Sequence, residues 1–361
     1  MRKKHHDLNT TTGLWPNKTL TMKPITCLFL TAVLWFNCRA GQPPANPQTN
    51  DRAKAILKYF QDLDAQTNRR VVSGQFSNFG DGANLRLATQ IHDRTGHWPA
   101  LLGADYAGRG GISTNAPNQA VLEYWQQGGL VTLSAHMYNP ARTNVPFGGL
   151  RDKDVDLKAL LDPNTEIHAR WLHELDLIAD GLQQLKDAGV VVLWRPFHEM
   201  NGNWFWWDGK DPQTFIQLWR QMFEYFTKTK GLDNLLWVYA PNHGTNTVVY
   251  YPGDQYVDLV GLDAYTDYID TNHILGYAEM ARLAKPFGFT EFGPHSPENP
   301  PGDYDYRRFL AGVQTNFPRT VFFMSWNAKW SLASNTNVAE MLSDPRIINR
   351  ENLPKGLAGE R

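Results

Sequence analysis

The sequence predicts an α/β chain folded as a single (β/α)8 TIM barrel, and three observations carry that expectation. Eight short, apolar, β-rich runs alternate with longer segments of helical periodicity. Beyond residue 50 no linker, low-complexity tract or charge block divides the chain. Hydrophobic residues make up 42% and charged residues 20% of the 361, which suits one large core and is too apolar for a disordered chain.

The first 40 residues stand apart from this pattern. Lys23 precedes the apolar run Ile25 to Phe36, which is too short to span a bilayer and has the form of a secretory signal peptide ending near Ala40. Residues 1–21 read as an upstream extension, with Met22 as the physiological start. The chain is therefore expected to be exported, whether secreted, periplasmic or lipid-anchored at the cell envelope. Its two cysteines, Cys27 and Cys38, both lie here, so no internal disulfide is expected, and Cys38 is a candidate lipid-bearing residue. Residues 41–50 (GQPPANPQTN) read as a polar linker with nothing apolar to bury, which places the folded domain at 51–361.

The eight candidate strands are Arg70 to Gln75, Ala100 to Tyr106, Leu130 to Met137, Val190 to Phe197, Leu235 to Ala240, Val257 to Tyr265, Pro286 to Phe292 and Thr320 to Trp326. Runs that are apolar nearly throughout fit a parallel sheet covered on its outer face. Among the helices, Thr165 to Ala188 is well marked. Ile167, Trp171, Leu172, Leu175, Ile178, Leu182 and Leu185 recur at three- and four-residue spacing, and Gly189 ends the segment. An open doubly wound sheet is the alternative, but no GxGxxG turn follows the first strand.

A barrel gathers its chemistry where strands end. Those ends carry Asp105 and Tyr106, His136, His198 and Glu199, Asn242 and His243, Asp263 and Tyr265, Glu291, and Trp326 and Asn327. Strand alternation puts Arg195, Phe197 and Glu199 on one face of the fourth run, and Phe287, Phe289 and Glu291 on one face of the seventh. If those faces point inward, two carboxyl groups confront each other across the barrel mouth.

Either glutamate alone could be a solvated rim residue or the partner of an arginine such as Arg195. As a pair beside aromatic walls they are equipment for cleaving a glycosidic bond, one protonating the leaving oxygen and the other meeting the oxocarbenium charge. The composition supports aromatic walls, with 13 Trp, 14 Tyr and 18 Phe. Trp204, Trp206, Trp207 and Trp326 are candidates to stack on sugar rings, although core packing competes, at least for one of Trp206 and Trp207. The interval from Met137 to Glu199 is the longest between strand ends and predicts an extended loop, Tyr138 to Asn164, walling the cleft. Arg142 and Asn144 in it are candidate sugar contacts.

Other chemistries fit poorly. The net charge is −1 and no basic cluster occurs outside the extreme N-terminus, so no nucleic acid partner is expected. His198 and Glu199 begin like HExxH, but Met200 to Asn203 holds no second histidine and no other metal-ligand spacing occurs, so neither metal nor cofactor is expected. Ser-His-Asp chemistry lacks a GxSxG elbow. His92, His97, His168 and His173 are expected at the surface.

The stretch WRPFHEMNGNWFWW (Trp194 to Trp207) closely resembles the acid/base signature of glycoside hydrolase family 26, whose best-known members are β-mannanases. FTEFG (Phe289 to Gly293) resembles the family's nucleophile strand, GGLVTLSAHMYNP its third strand, and RVVSGQF and ALLGADY its first two. The resemblance covers Ala53 to Leu342 and implies a retaining endo-β-1,4-mannanase acting on mannan, galactomannan or glucomannan. It further implies that Glu199 is the general acid/base and Glu291 the nucleophile. His136, His198, Trp204, Asp263, Tyr265 and Trp326 would bind substrate, with Tyr265 hydrogen-bonding the nucleophile. Asn327 departs from the arginine that several family mannanases carry after this tryptophan. The same machinery on β-glucan or xylan, or a non-catalytic carbohydrate-binding barrel, are the alternative readings. A self-contained barrel of this kind is expected to be monomeric.

Overall fold

The computed structural model describes residues 41–142, 149–295 and 302–359. The signal-peptide reading, Cys38 and Asn144 lie outside these described residues. No described helix is long and apolar enough to cross a membrane.

Eight parallel strands form a closed barrel: Gly74–Phe79, Leu101–Asp105, Leu130–Ser134, Val192–Arg195, Leu235–Tyr239, Leu259–Tyr265, Phe287–Gly293 and Thr320–Ser325. Each pairs with its neighbours in chain order, and the eighth pairs with both the seventh and the first, which closes the ring. Every residue of the second to fifth strands is buried, as the apolar runs require. The first predicted run divides at Ser73. Val71–Val72 pairs with the eighth strand and with Ile347–Ile348, and the barrel strand itself starts only at Gly74.

The long helix runs Glu166–Asp187, with Thr165 accepting a hydrogen bond from the His168 N–H as its N-cap. Its stripe of Trp171, Leu175, Ile178, Leu182 and Leu185 is at most 1% exposed, each side chain contributing about 1.5–3 kcal/mol of burial. His168 departs from the surface expectation. It is buried, with Nδ1 2.8 Å from the Leu160 carbonyl, because the short helix Leu157–Leu161 packs against it. Glu174 on the same helix is buried too. Burial pushes its carboxyl up to about 8, and its Oε1 accepts the Tyr138 N–H at 2.6 Å, which ties the start of the long loop to the helix.

Residues 45–50 are docked on the barrel and not a free linker. The Ala45 N–H donates to Asp258 Oδ1 at 2.7 Å, Asn46 Nδ2 donates to the Leu232 carbonyl at 3.3 Å, and Thr49 is 1% exposed. Asn50 then caps the helix Asp51–Ala65. Polar composition does not reveal this, because the partners lie some two hundred residues away in the chain. A chain beginning at Asp51 should be less stable by about 1–3 kcal/mol, from the lost bonds and cap. Urea unfolding of the two lengths measures it, and equal midpoints would show that the segment only rests on the surface.

Candidate active site

The site is organised around Arg195, the last residue of the fourth strand, whose side chain is 1% exposed. Its guanidinium donates to Asp263 Oδ2 at 2.9 Å and to Glu291 Oε1 at 2.5 Å. The remaining oxygens are also satisfied. Thr290 Oγ1 donates to Asp263 Oδ1 at 2.6 Å, and the Tyr265 hydroxyl donates to Glu291 Oε2 at 2.6 Å. Burial raises the Tyr265 pKa well above its usual value, so the phenol stays a donor. Burial likewise pushes Asp263 up, against the pull of Arg195.

Both glutamates reach the barrel mouth as expected, but not by regular strand alternation. Phe289 packs outward on Phe309 and Phe317, so Glu291, two residues on, would also face the helices in a regular strand. A register shift between Phe289 and Glu291 inserts an extra residue, pairs Glu291 with Asp263 and turns its carboxyl inward. The fourth strand ends at Arg195, so Phe197 and Glu199 do not share its face. Both adopt left-handed backbone, with φ 46° and 58°. Phe197 is driven into a fully buried cluster with Trp171, Trp206, Phe215 and Trp219, and Glu199 is returned to the barrel mouth.

Glu199 is 8% exposed. Burial, and then the charges of Glu291 and Asp263, hold its carboxyl well above the usual range. Opposing this, Trp204 Nε1 donates to Glu199 Oε2 at 2.7 Å. The oxygens of Glu199, Asp263 and Glu291 come within 4.8 Å of one another, a spacing that could chelate a cation. Arg195 already supplies that positive charge to two of the three.

Trp204 owes its position to a compact turn. Asp208 Oδ2 accepts the N–H groups of Trp204 at 3.0 Å and Phe205 at 2.9 Å. Gly202 leaves room for the indole, since a Cβ there would stand 2.6 Å from it. Trp206 and Trp207 are both fully buried, donating to the Met137 and His198 carbonyls at 2.9 Å each, so the core role takes both and Trp204 alone of the three lines the cleft.

On the other wall, Asp105 gathers the Ser134 hydroxyl at 2.5 Å, the His136 ring at 2.9 Å and the His136 N–H at 3.1 Å. Burial would raise its carboxyl, but the histidine and these bonds bring it down to about 2. His136 Nε2 meets His198 Nε2 at 3.1 Å, and burial, then Arg195 and His136, depress His198 well below its usual value, leaving a neutral ring. Trp326 stacks on Phe76 at 3.9 Å and presents its other side to the cleft beside Phe79.

The resulting cleft has a volume of about 930 Å³. It brings together His136, His198, Glu199, Trp204, Tyr265, Glu291 and Trp326, with Asp263 beneath. Tyr106 is not part of it, being buried with its hydroxyl on Asn118 at 2.7 Å. Arg142 is engaged by Asp152 and Asp154, while among the described residues of the long loop Leu150 and Arg151 line the cleft. Phe79, Phe205, His273 and Trp330 were not singled out by the sequence. Trp330, four residues past Trp326, was the one with a signal, an aromatic just beyond a strand end.

The chain matches the family described as glycosyl hydrolase family 26 over residues 45–352. It is 36% identical over 331 residues to a mannan endo-1,4-beta-mannosidase of Bacillus subtilis, an alignment covering 87% of this chain and 90% of that protein. It is also 36% identical to mannan endo-1,4-beta-mannosidase A and B of Caldalkalibacillus mannanilyticus, covering 88% of this chain but 64% of that longer protein. Among solved structures, the Bacillus subtilis mannanase BCman superposes with a TM-score of 0.81 at 35% identity, covering 89% of this chain and 99% of that one. The chain belongs to glycosyl hydrolase family 26 and is a glycoside hydrolase.

Proposed function

We propose that this enzyme is a retaining endo-β-1,4-mannanase, with Glu291 as nucleophile and Glu199 as general acid/base. The supporting observation is the closeness of the two carboxyl groups, whose oxygens lie within 4.8 Å. Direct attack with a covalent intermediate needs a separation of about 5–5.5 Å, whereas an inverting enzyme needs about 6.5–9.5 Å to admit a water. The names of the relatives support mannan as substrate.

In the first step a Glu291 oxygen attacks the anomeric carbon while Glu199 gives its proton to the departing oxygen. Glu199 holds that proton because burial and the neighbouring carboxylates disfavour its charge. Ester formation removes the charge on Glu291 and weakens that repulsion, so Glu199 can accept a proton from water in the second step. Arg195 and the Tyr265 hydroxyl each donate to Glu291 and hold its carboxyl in place for the attack. His136, His198, Trp204, Asp263 and Trp326 bind or position the sugar at the cleavage point. Export rests on the apolar run before Ala40, with Cys38 as a candidate anchor, and the self-contained barrel supports a monomer.

Glu199→Ala and Glu291→Ala should each lower kcat on mannan by at least about 10²-fold while the fold is kept. Azide should rescue Glu199→Ala to a β-mannosyl azide and Glu291→Ala to the α-anomer. Full turnover by either variant would remove the catalytic assignment, and release of α-configured product by the wild type would remove the retaining one. Mannan, lichenan and xylan compared as substrates decide the sugar.

A pH effect follows from the indole bond. Trp204 Nε1–H stabilises ionised Glu199, so Trp204→Phe should raise the Glu199 pKa further. Activity is lost as pH rises through that pKa, so the alkaline limb of kcat/KM should move to higher pH. A limb that moves to lower pH, or stays in place, contradicts the bond as the controlling contact.

A further inference from the structure

The rim loop after the sixth strand carries a feature that the catalytic steps do not use. Tyr268 is 54% exposed, the largest value among the exposed large apolar side chains of the described residues. Its ring stacks on His273 at 4.3 Å and 19°, and His273 lines the cleft while its own side chain is 47% exposed. Single exposed apolar residues need no explanation. This one is propped by a second ring and continues the wall of a substrate cleft outward.

The pair is also held rigidly. Asp270 Oδ1 receives the His273 ring at 2.8 Å and the backbone N–H groups of Asn272 and His273 at 2.9 and 3.1 Å. On either side, Ile269 and Ile274 are buried, and Asn316 Nδ2 donates to the Ile269 carbonyl at 2.8 Å. Thr266 N–H joins the Gly293 carbonyl at 3.0 Å, fixing the loop to the end of the nucleophile's strand. A ledge ordered before binding loses little entropy when a ligand covers it.

We propose that the Tyr268–His273 pair is a distal sugar-binding platform, on which a mannosyl ring of a long substrate stacks beyond the cleavage point. It rests on the mannanase reading. In the ring of eight, the loop after the sixth strand faces the second, across the mouth from the wall of Trp326, Phe79 and His136. A chain lying between those walls passes over the catalytic pair and leaves by way of the ledge. The pyranose C–H face covers apolar ring surface that water otherwise meets, and the His273 Nε2 and the Tyr268 hydroxyl are placed to bond sugar hydroxyl groups, His273 Nδ1 being held by Asp270.

The test compares the wild type with Tyr268→Ala and Tyr268→Phe on mannohexaose and on 2,4-dinitrophenyl β-mannobioside, whose chain is too short to span both walls. Tyr268→Ala should raise KM for mannohexaose about threefold to tenfold relative to the change for the short substrate, with kcat held and the product pattern shifted. Tyr268→Phe, which keeps the ring, should retain the wild-type ratio. An equal change on both substrates, or none, overturns the platform. Should Tyr268→Ala lower the melting temperature strongly, His273→Ala, which removes the prop, must give the same selective KM effect or the proposal fails. A wild type that cleaves both substrates with an unaltered ratio in the variants sinks only the platform, whereas one that cleaves neither sinks the mannanase reading and the platform with it.

Discussion

The site depends on one buried guanidinium shared by two carboxylates. Arg195 is bonded to Asp263 and Glu291 where water scarcely reaches, and these residues come from the fourth, sixth and seventh strands. Taking such charges out of water costs several kcal/mol per ion, and only full hydrogen bonding makes the arrangement tenable. The Thr290 and Tyr265 hydroxyls complete it by occupying the outer oxygens. The same set of bonds therefore holds three strand ends together. Glu199 makes no ion pair among the described residues, and burial raises its pKa well above the usual carboxyl range, as it does for Asp263.

Around that centre the backbone departs from regular strand geometry beside both glutamates. The extra residue before Glu291 and the left-handed Phe197 and Glu199 both change which way a side chain points. Such backbone costs on the order of 1–3 kcal/mol per residue. Burying Phe197 among Trp171, Trp206, Trp207, Phe215 and Trp219 offsets it. Strain and core packing are thus coupled: the outward phenylalanine is what allows the inward glutamate.

The aromatic residues divide in the same manner. Trp206 and Trp207 anchor the turn in the core through their indole N–H groups, and Asp208 pulls the backbone N–H groups of Trp204 and Phe205, just before them, into place. Trp204 then stands at the cleft with its indole on Glu199. One short segment supplies Glu199, its hydrogen-bond donor and the packing that immobilises both. Tyr268 and His273 continue the aromatic surface along the rim.

Eight apolar runs, helical stripes between them and polar residues at the run ends were enough to read the barrel and the location of its site. Apolar periodicity is local, and burial of those residues follows from composition alone. Contacts between distant polar groups were not legible. Residues 45–50 look like a linker until Asp258 is beside them, and His168 looks exposed until the Leu157–Leu161 helix covers it. Strand alternation, which suggests the inward turn of Glu199 and Glu291, is not its cause, since the fourth strand ends at Arg195 and an extra residue precedes Glu291. The amino-acid order by itself determined the fold class, the rim and the residue types gathered on it, because these follow from nearest-neighbour patterning. Only the tertiary structure decided the direction of each carboxyl and its protonation, because both depend on a bulge, two left-handed residues and an arginine charge brought together by barrel closure.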